Sequence, residues 1–187
     1  MTGQALNFPY FSYLGRWQTQ RPLWLFGGFL TAALEIFSVL YFQKHLGLKP
    51  CLYCVYIREA MLVIAIGALW AALYPKFFLF RIPGYIVTIG GTLAGLVFSF
   101  KLESLNLAVR YWPDLYTPCP ARSGFALGRR LAAKWPSHFQ PAGECGVDTD
   151  WMFLSFNMSE LLIIFYIFIL VGLLLMLGAG LLRSRES

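Results

Sequence analysis

The sequence predicts an all-α membrane protein, four antiparallel transmembrane helices forming one domain over residues 1–187, and three observations predict it. Of 187 residues, 58% are apolar and 13% are charged, the latter about half the ~25% of soluble domains. The mean hydropathy is +0.62. Four charge-poor runs reach the roughly 20 residues that carry a helix across about 30 Å of hydrocarbon. In lipid, backbone polar groups must pair internally, and the chain lacks the alternating ten-residue strands of a barrel. The composition excludes a disordered chain, a soluble enzyme and a small disulfide-framed module.

In chain order, the tail 1–21 brings Tyr10, Phe11, Tyr13 and Trp17 up to the first span, a composition that suits the membrane interface. Span one, 22–42, contains only one charge, Glu35. It is longer than a signal-peptide core, and no small-residue cleavage pattern follows, so it reads as retained. A short loop, 43–54, leads to span two, 55–74, with Arg58 and Glu59 near its start. The turn 75–81 precedes span three, 82–100, which has no charge. Gly27-Gly28 in span one and Gly90, Gly91 and Gly95 in span three would let helices approach closely. The long hydrophilic loop 101–160 carries two further interfacial tryptophans, Trp112 and Trp151. Within it, Leu127, Leu131 and Trp135 repeat at helical spacing with Arg130 and Lys134 on another side, predicting a short helix over 125–135 that is either interfacial or a solvated basic helix. Residues 116–120, Tyr-Thr-Pro-Cys-Pro, form an extended segment fixed by two prolines. Span four, 161–182, is charge-free, and 183–187 form the second tail.

Sidedness follows from Lys and Arg in the short flanks. Arg16, Arg21, Lys76, Arg81, Arg183 and Arg185 lie on the side of the tails, against Lys44 and Lys49 opposite. Six against two places both tails and the turn 75–81 in the cytoplasm. The net charge of +6 is spread over membrane flanks, so it indicates anionic headgroups rather than nucleic acid.

The four cysteines are Cys51, Cys54, Cys119 and Cys145. Between Cys54 and Cys119 the chain crosses twice, so all four share the non-cytoplasmic face, where disulfides persist. Zinc is disfavoured, because no second close pair and no histidines at ligand spacing accompany Cys51 and Cys54. Two readings then stand: inert disulfides stapling the loops, or redox chemistry. The C-x-x-C ring closes over too few residues to constrain the unfolded chain much, and its spacing is a redox spacing. Pro50 predicts a helix start that puts Cys51 and Cys54 at its amino end, where N–H groups and the helix dipole stabilise a thiolate. Arg58 falls one turn below Cys54, either snorkelling or supplying fixed positive charge; Glu35 is its better counter-ion, because Glu59 points elsewhere on the helix. Four cysteines allow three pairings, and the residues alone leave all three open.

Taken together, Leu34-Glu35, Tyr41-Phe42-Gln43, Leu48-Lys49-Pro50-Cys51-x-x-Cys54-x-Tyr56-x-Arg58, Pro113 ahead of Cys119, the step of 26 to Cys145 and the following Trp151 resemble the DsbB family. That family is the bacterial inner-membrane system that reoxidises the periplasmic dithiol oxidase DsbA and passes electrons to quinone. The likeness covers nearly the whole chain. In four-span enzymes of the vitamin K epoxide reductase type, by contrast, the loop pair precedes the C-x-x-C.

The resemblance implies a relay. Cys119 would form the mixed disulfide with a DsbA-like partner, and Cys145 would complete the loop disulfide. Cys51 would meet Cys145, Cys54 would face a ubiquinone or menaquinone, and Arg58 would hold the anionic adduct there. Where the family pattern has a histidine near the quinone and an acidic residue before the arginine, this chain has Asn106 and Ile57. Arg122, Arg129, Arg130 and Lys134 also resemble the basic setting of the dedicated DsbL and DsbI pair. The alternative from another class is a non-catalytic four-span scaffold with two structural disulfides.

Overall fold

The computed structural model describes residues 16–112, 119, 124, 126–143, 145, 152–153 and 156–186. Helix α1 spans Arg21–Ser38, with Pro22 in its first turn, where a missing N–H costs nothing. It continues as a π-helical segment, Val39–His45. Helix α2 spans Leu52–Leu73 and α3 Phe78–Tyr111. Two short helices follow, α4 at Ala126–Lys134 and α5 at Pro136–Phe139. A two-stranded antiparallel ladder, β1 at Met152–Phe153 and β2 at Phe156–Asn157, pairs Met152 with Asn157 and leads into α6, Met158–Glu186. Among the described residues four helices are long and apolar enough to cross a membrane, over Arg21–His45, Leu52–Leu73, Phe78–Tyr111 and Met158–Gly180. The protein is a multi-pass, all-α membrane protein.

The boundaries correct the sequence in two places. Helix α3 is 34 residues long and includes 101–111, expected as loop. Counting apolar residues stops at Lys101, whereas the helix stops where Pro113 disfavours helical geometry in the residue before it. At 1.5 Å per residue α3 reaches about 50 Å, some 20 Å beyond the hydrocarbon thickness. Pro50 lies just outside α2 rather than in its first turn, because Cys51 itself is the N-cap. The loop helix falls at Ala126–Lys134, inside the expected 125–135; Phe125, the Leu127 side chain, Trp151, the tail aromatics other than Trp17, and residues 116–118, 120 and 122 lie outside the described residues.

Helix α2 is the central element, packed on α1 and α3, while α3 also packs on α6. Its burial is spread around the helix, with Val55 and Ala71 both at 0% exposure, so it carries almost no amphipathic signature. Helix α6 instead turns large side chains such as Phe168, Leu174 and Leu175 outward, the surface lipid would cover. Close approach depends on glycine. A Cβ on Gly28 would lie 2.9 Å from Leu69, and one on Gly84 would lie 2.6 Å from the Ala71 methyl. Gly91 and Gly95 are also at contacts, but Gly27 and Gly90 face open space, so only part of the predicted glycine set serves packing. Gly67 and Gly84, on the α2–α3 seam, were not distinguished by the sequence because isolated glycines carry no spacing signal. The core divides into two clusters. One, around Trp24, Ala68, Ala71, Tyr85 and Leu173, fills one end of the bundle; the other contains cysteines.

Candidate functional site

Cys51 has extended backbone, φ −75° and ψ 170°, and its Sγ accepts the Cys54 N–H at 3.2 Å. A helix amino end leaves its first N–H groups without partners, and here a sulfur takes one of them. Cys54 sits in the first turn, half-buried. Cys119 and Cys145 form a disulfide with Cα atoms 5.9 Å apart, whereas Cys51 and Cys54 are free thiols. Cys51 and Cys145, at 2% and 0% exposure, belong to one buried cluster with Tyr56, Ile57 and Tyr166, and Cys54 and Cys119 pack at its edge. Two pairs distant in sequence thus meet at one end of the bundle. The Cys51 thiol does not follow the expected thiolate stabilisation: its hydrogen bond to the Cys54 side chain and, second, its burial push its pKa up.

The loop between Cys119 and Cys145 is docked by backbone. The Pro50 carbonyl, one residue before Cys51, accepts the Ala142 and Gly143 N–H groups at 3.0 and 3.1 Å. Gly124 N–H donates to the Tyr56 hydroxyl at 2.7 Å. On α4, Arg129, Arg130 and Lys134 are exposed, and Leu131 is half-buried. The Lys134 ammonium lies 5.0 Å from the Trp135 ring centroid.

Arg58, 5% exposed, does not snorkel. Its Nε lies 3.7 Å from Glu35 Oε1, its Nη2 donates to Ser38 Oγ at 3.3 Å, and its Nη1 donates to the His138 carbonyl at 3.1 Å. The guanidinium therefore joins α1, α2 and α5. Among the described residues neither Glu35 carboxylate oxygen has a hydrogen-bond partner, and its contact with Arg58 is the 3.7 Å ion pair. Glu59 is buried and no ion pair joins it to Arg58 among the described residues, in keeping with its place on another face of α2. The sequence singled out Arg58 and Glu35, but gave no signal for Ser38 or for a carbonyl 80 residues away. Asn106 Nδ2 donates to Ser159 Oγ at 2.7 Å and is not part of the cavity wall. Ser159 is fully buried, and Asn157 and Glu160 cap α6 reciprocally, Glu160 N–H to Asn157 Oδ1 at 2.8 Å and Asn157 N–H to Glu160 Oε2 at 2.9 Å.

A cavity of about 260 Å³ opens among α1, α2 and α6 beside Cys54 and Arg58. Leu34, Phe42, Ile57, Met61, Leu162 and Phe165 supply apolar wall; Glu35, Ser38, Cys54 and Arg58 supply its polar atoms. Such a lining suits a lipid-soluble ring carrying polar oxygens. Tyr166, behind this wall, donates to the Ile57 carbonyl at 3.1 Å. A Cβ on Gly95 would overlap the Tyr166 ring, so the ring occupies the notch that the glycine leaves.

The family described as Disulfide bond formation protein DsbB matches residues 20–176. The chain is 39% identical over 140 residues to the protein-disulfide oxidoreductase DsbI of Escherichia coli O1:K1 / APEC, covering 72% of this chain and 62% of that protein. The DsbI of Lelliottia amnigena is 39% identical over 140 residues, with 72% and 63% covered. That of Salmonella typhimurium is 38% identical over 139 residues, with 72% and 62% covered. The match thus spans less than two thirds of these relatives' length.

Proposed function

The chain belongs to the DsbB family, and from that premise we propose that it is a protein-disulfide:quinone oxidoreductase, reoxidising a DsbA-like dithiol partner in the periplasm. Its setting in this reading is the bacterial inner membrane, with both termini cytoplasmic and the four cysteines periplasmic. One observation carries the proposal. A free cysteine, Cys54, and a buried cation, Arg58, line a single apolar cavity, and a disulfide shares the buried cluster of Cys51.

The family resemblance supplies the order of steps, and each step balances in electrons. A thiolate of the reduced partner attacks Cys119 Sγ, breaking the Cys119–Cys145 bond and forming a mixed disulfide; the partner's second thiol closes the partner's own disulfide and releases Cys119. The loop dithiol then reduces a Cys51–Cys54 disulfide, with Cys145 meeting Cys51, and the loop disulfide re-forms. The chain now holds a loop disulfide and a C-x-x-C dithiol, the pairing observed. Two electrons and two protons leave Cys51 and Cys54 as their disulfide closes. A ubiquinone or menaquinone in the cavity supplies the two-electron, two-proton sink that makes the sequence downhill, about 1.4 kcal/mol for each 30 mV. Arg58 offers positive charge where negative charge builds, in a site from which water is excluded. The cavity walls keep the ring beside Cys54, and the docked loop brings Cys145 to Cys51.

Purified protein mixed with a reduced DsbA-like oxidase and a short-chain ubiquinone should form one quinol per partner disulfide. Cys54→Ser should abolish quinol formation, and a reduced partner whose second cysteine is replaced by Ala should break the Cys119–Cys145 bond and accumulate as a mixed disulfide on Cys119, because the thiol that would release it is missing. A four-span scaffold with two structural disulfides predicts neither result, and it does not account for the free Cys51 and Cys54.

A further inference from the structure

Most hydroxyl groups inside these helices follow a common pattern, Ser159, which donates across to Glu103, being set apart from it. Thr88 donates to the Gly84 carbonyl at 2.7 Å, Thr92 to Thr88 at 2.7 Å and Ser99 to Gly95 at 2.8 Å, each bonding one turn back within its own helix. Ser38 breaks the pattern. Its Oγ accepts from Arg58 Nη2 at 3.3 Å, and among the described residues its own O–H donates to nothing. A serine hydroxyl that accepts from a cation becomes a stronger donor, since hydrogen bonds in a chain polarise one another at low dielectric. Ser38 also forms part of the cavity wall shared with Cys54 and Arg58. The guanidinium donates to Ser38 and to the His138 carbonyl and lies 3.7 Å from Glu35. The hydroxyl proton is therefore an uncommitted donor facing an apolar space, where an unpaired polar group is costly.

We infer that Ser38 binds and orients the quinone, its hydroxyl donating to one ring carbonyl oxygen while Arg58 donates to the hydroxyl from behind. This rests on the quinone reading given above. With one carbonyl held at Ser38, the ring has a fixed face and rotation relative to Cys54, and negative charge arriving on that oxygen is felt by Arg58 through the hydroxyl. No proton needs to leave Ser38; the bond is present before reduction and strengthens as charge develops.

The test uses the full chain in detergent, and binding is read by quenching of intrinsic fluorescence, independent of turnover. The ligands are a short-chain ubiquinone and an analogue with methyl groups in place of the two carbonyl oxygens. Ser38→Ala should raise the ubiquinone Kd and KM about five- to tenfold, as loss of one hydrogen bond predicts, and should leave analogue binding unchanged. Ser38→Thr, which keeps the hydroxyl, should restore ubiquinone binding to within about twofold. Unchanged ubiquinone binding by Ser38→Ala, or equal loss for both ligands, overturns the role of Ser38 while leaving the cavity reading intact. Failure of the unsubstituted protein to bind ubiquinone overturns that reading as well.

Discussion

Arg58 and Glu35 are ionisable groups held at 5% and 7% exposure, and a buried pair of this kind answers differently to single and double substitution. Removing one partner leaves an uncompensated buried charge, at a cost of about 3–5 kcal/mol. Glu35→Ala should therefore lower the unfolding free energy by about 3 kcal/mol in mixed micelles. The double substitution Glu35→Leu with Arg58→Met should recover most of that stability, while quinone reduction stays lost. Recovery of both would assign the arginine to packing alone. The two free thiols differ as well. The raised pKa of Cys51 means that its thiolate fraction grows only as pH rises above the ordinary thiol range. Iodoacetamide at neutral pH should accordingly label Cys54 well before Cys51, and raising the pH should narrow the difference; mass mapping of the labelled peptides reads the ratio, and equal rates at neutral pH would contradict it. At this scale the sequence disclosed the ionisable and thiol groups, since a charge in an apolar run stands out. Ser38 and the His138 carbonyl remained hidden, because an ordinary serine and a backbone oxygen gain meaning only from what the fold puts beside them.

Among the elements, α6 meets both α2 and α3 through the Tyr166 side chain. The Tyr166 ring fills the notch at Gly95 and its hydroxyl reaches the Ile57 carbonyl, adjacent to Arg58. Gly95→Ala overfills that notch and should destabilise the protein by about 1–3 kcal/mol. Tyr166→Phe keeps the ring and should cost about 1 kcal/mol, and unfolding curves of the two variants separate packing from hydrogen bonding. A cost for Gly95→Ala no greater than for a lipid-facing glycine such as Gly90 would contradict the notch. Helix existence was legible from apolar runs alone, for each span. Helix ends were not: α3 extends through the charged turns after Phe100, and the π-helical segment at Val39–His45 has no composition of its own. The sequence of α2 likewise hides its central position, because a helix enclosed by neighbours has no polar face from which to infer orientation.

For the molecule as a whole, the parity of four crossings brings four cysteines to one face, and the structure gathers them at one end of the bundle. The proposed orientation has a direct check. A cysteine introduced in place of exposed Lys134, in a background whose four native cysteines are replaced, should react with a membrane-impermeant maleimide from outside intact spheroplasts. Labelling only after permeabilisation would reverse the orientation. Legible here were the class, the crossings and the shared face of the thiols; the docking of the loop was not, since backbone bonds to the Pro50 carbonyl carry no side-chain signature. Those bonds have a kinetic consequence. Gly143 is bound to the residue preceding Cys51 and lies two positions from Cys145, so Cys145 is tethered beside Cys51 when the Cys119–Cys145 bond opens. A tether this short gives an effective concentration on the order of millimolar or more. In the proposed relay, Cys145 would thereby outcompete a dilute thiol from the surroundings for the Cys51 sulfur.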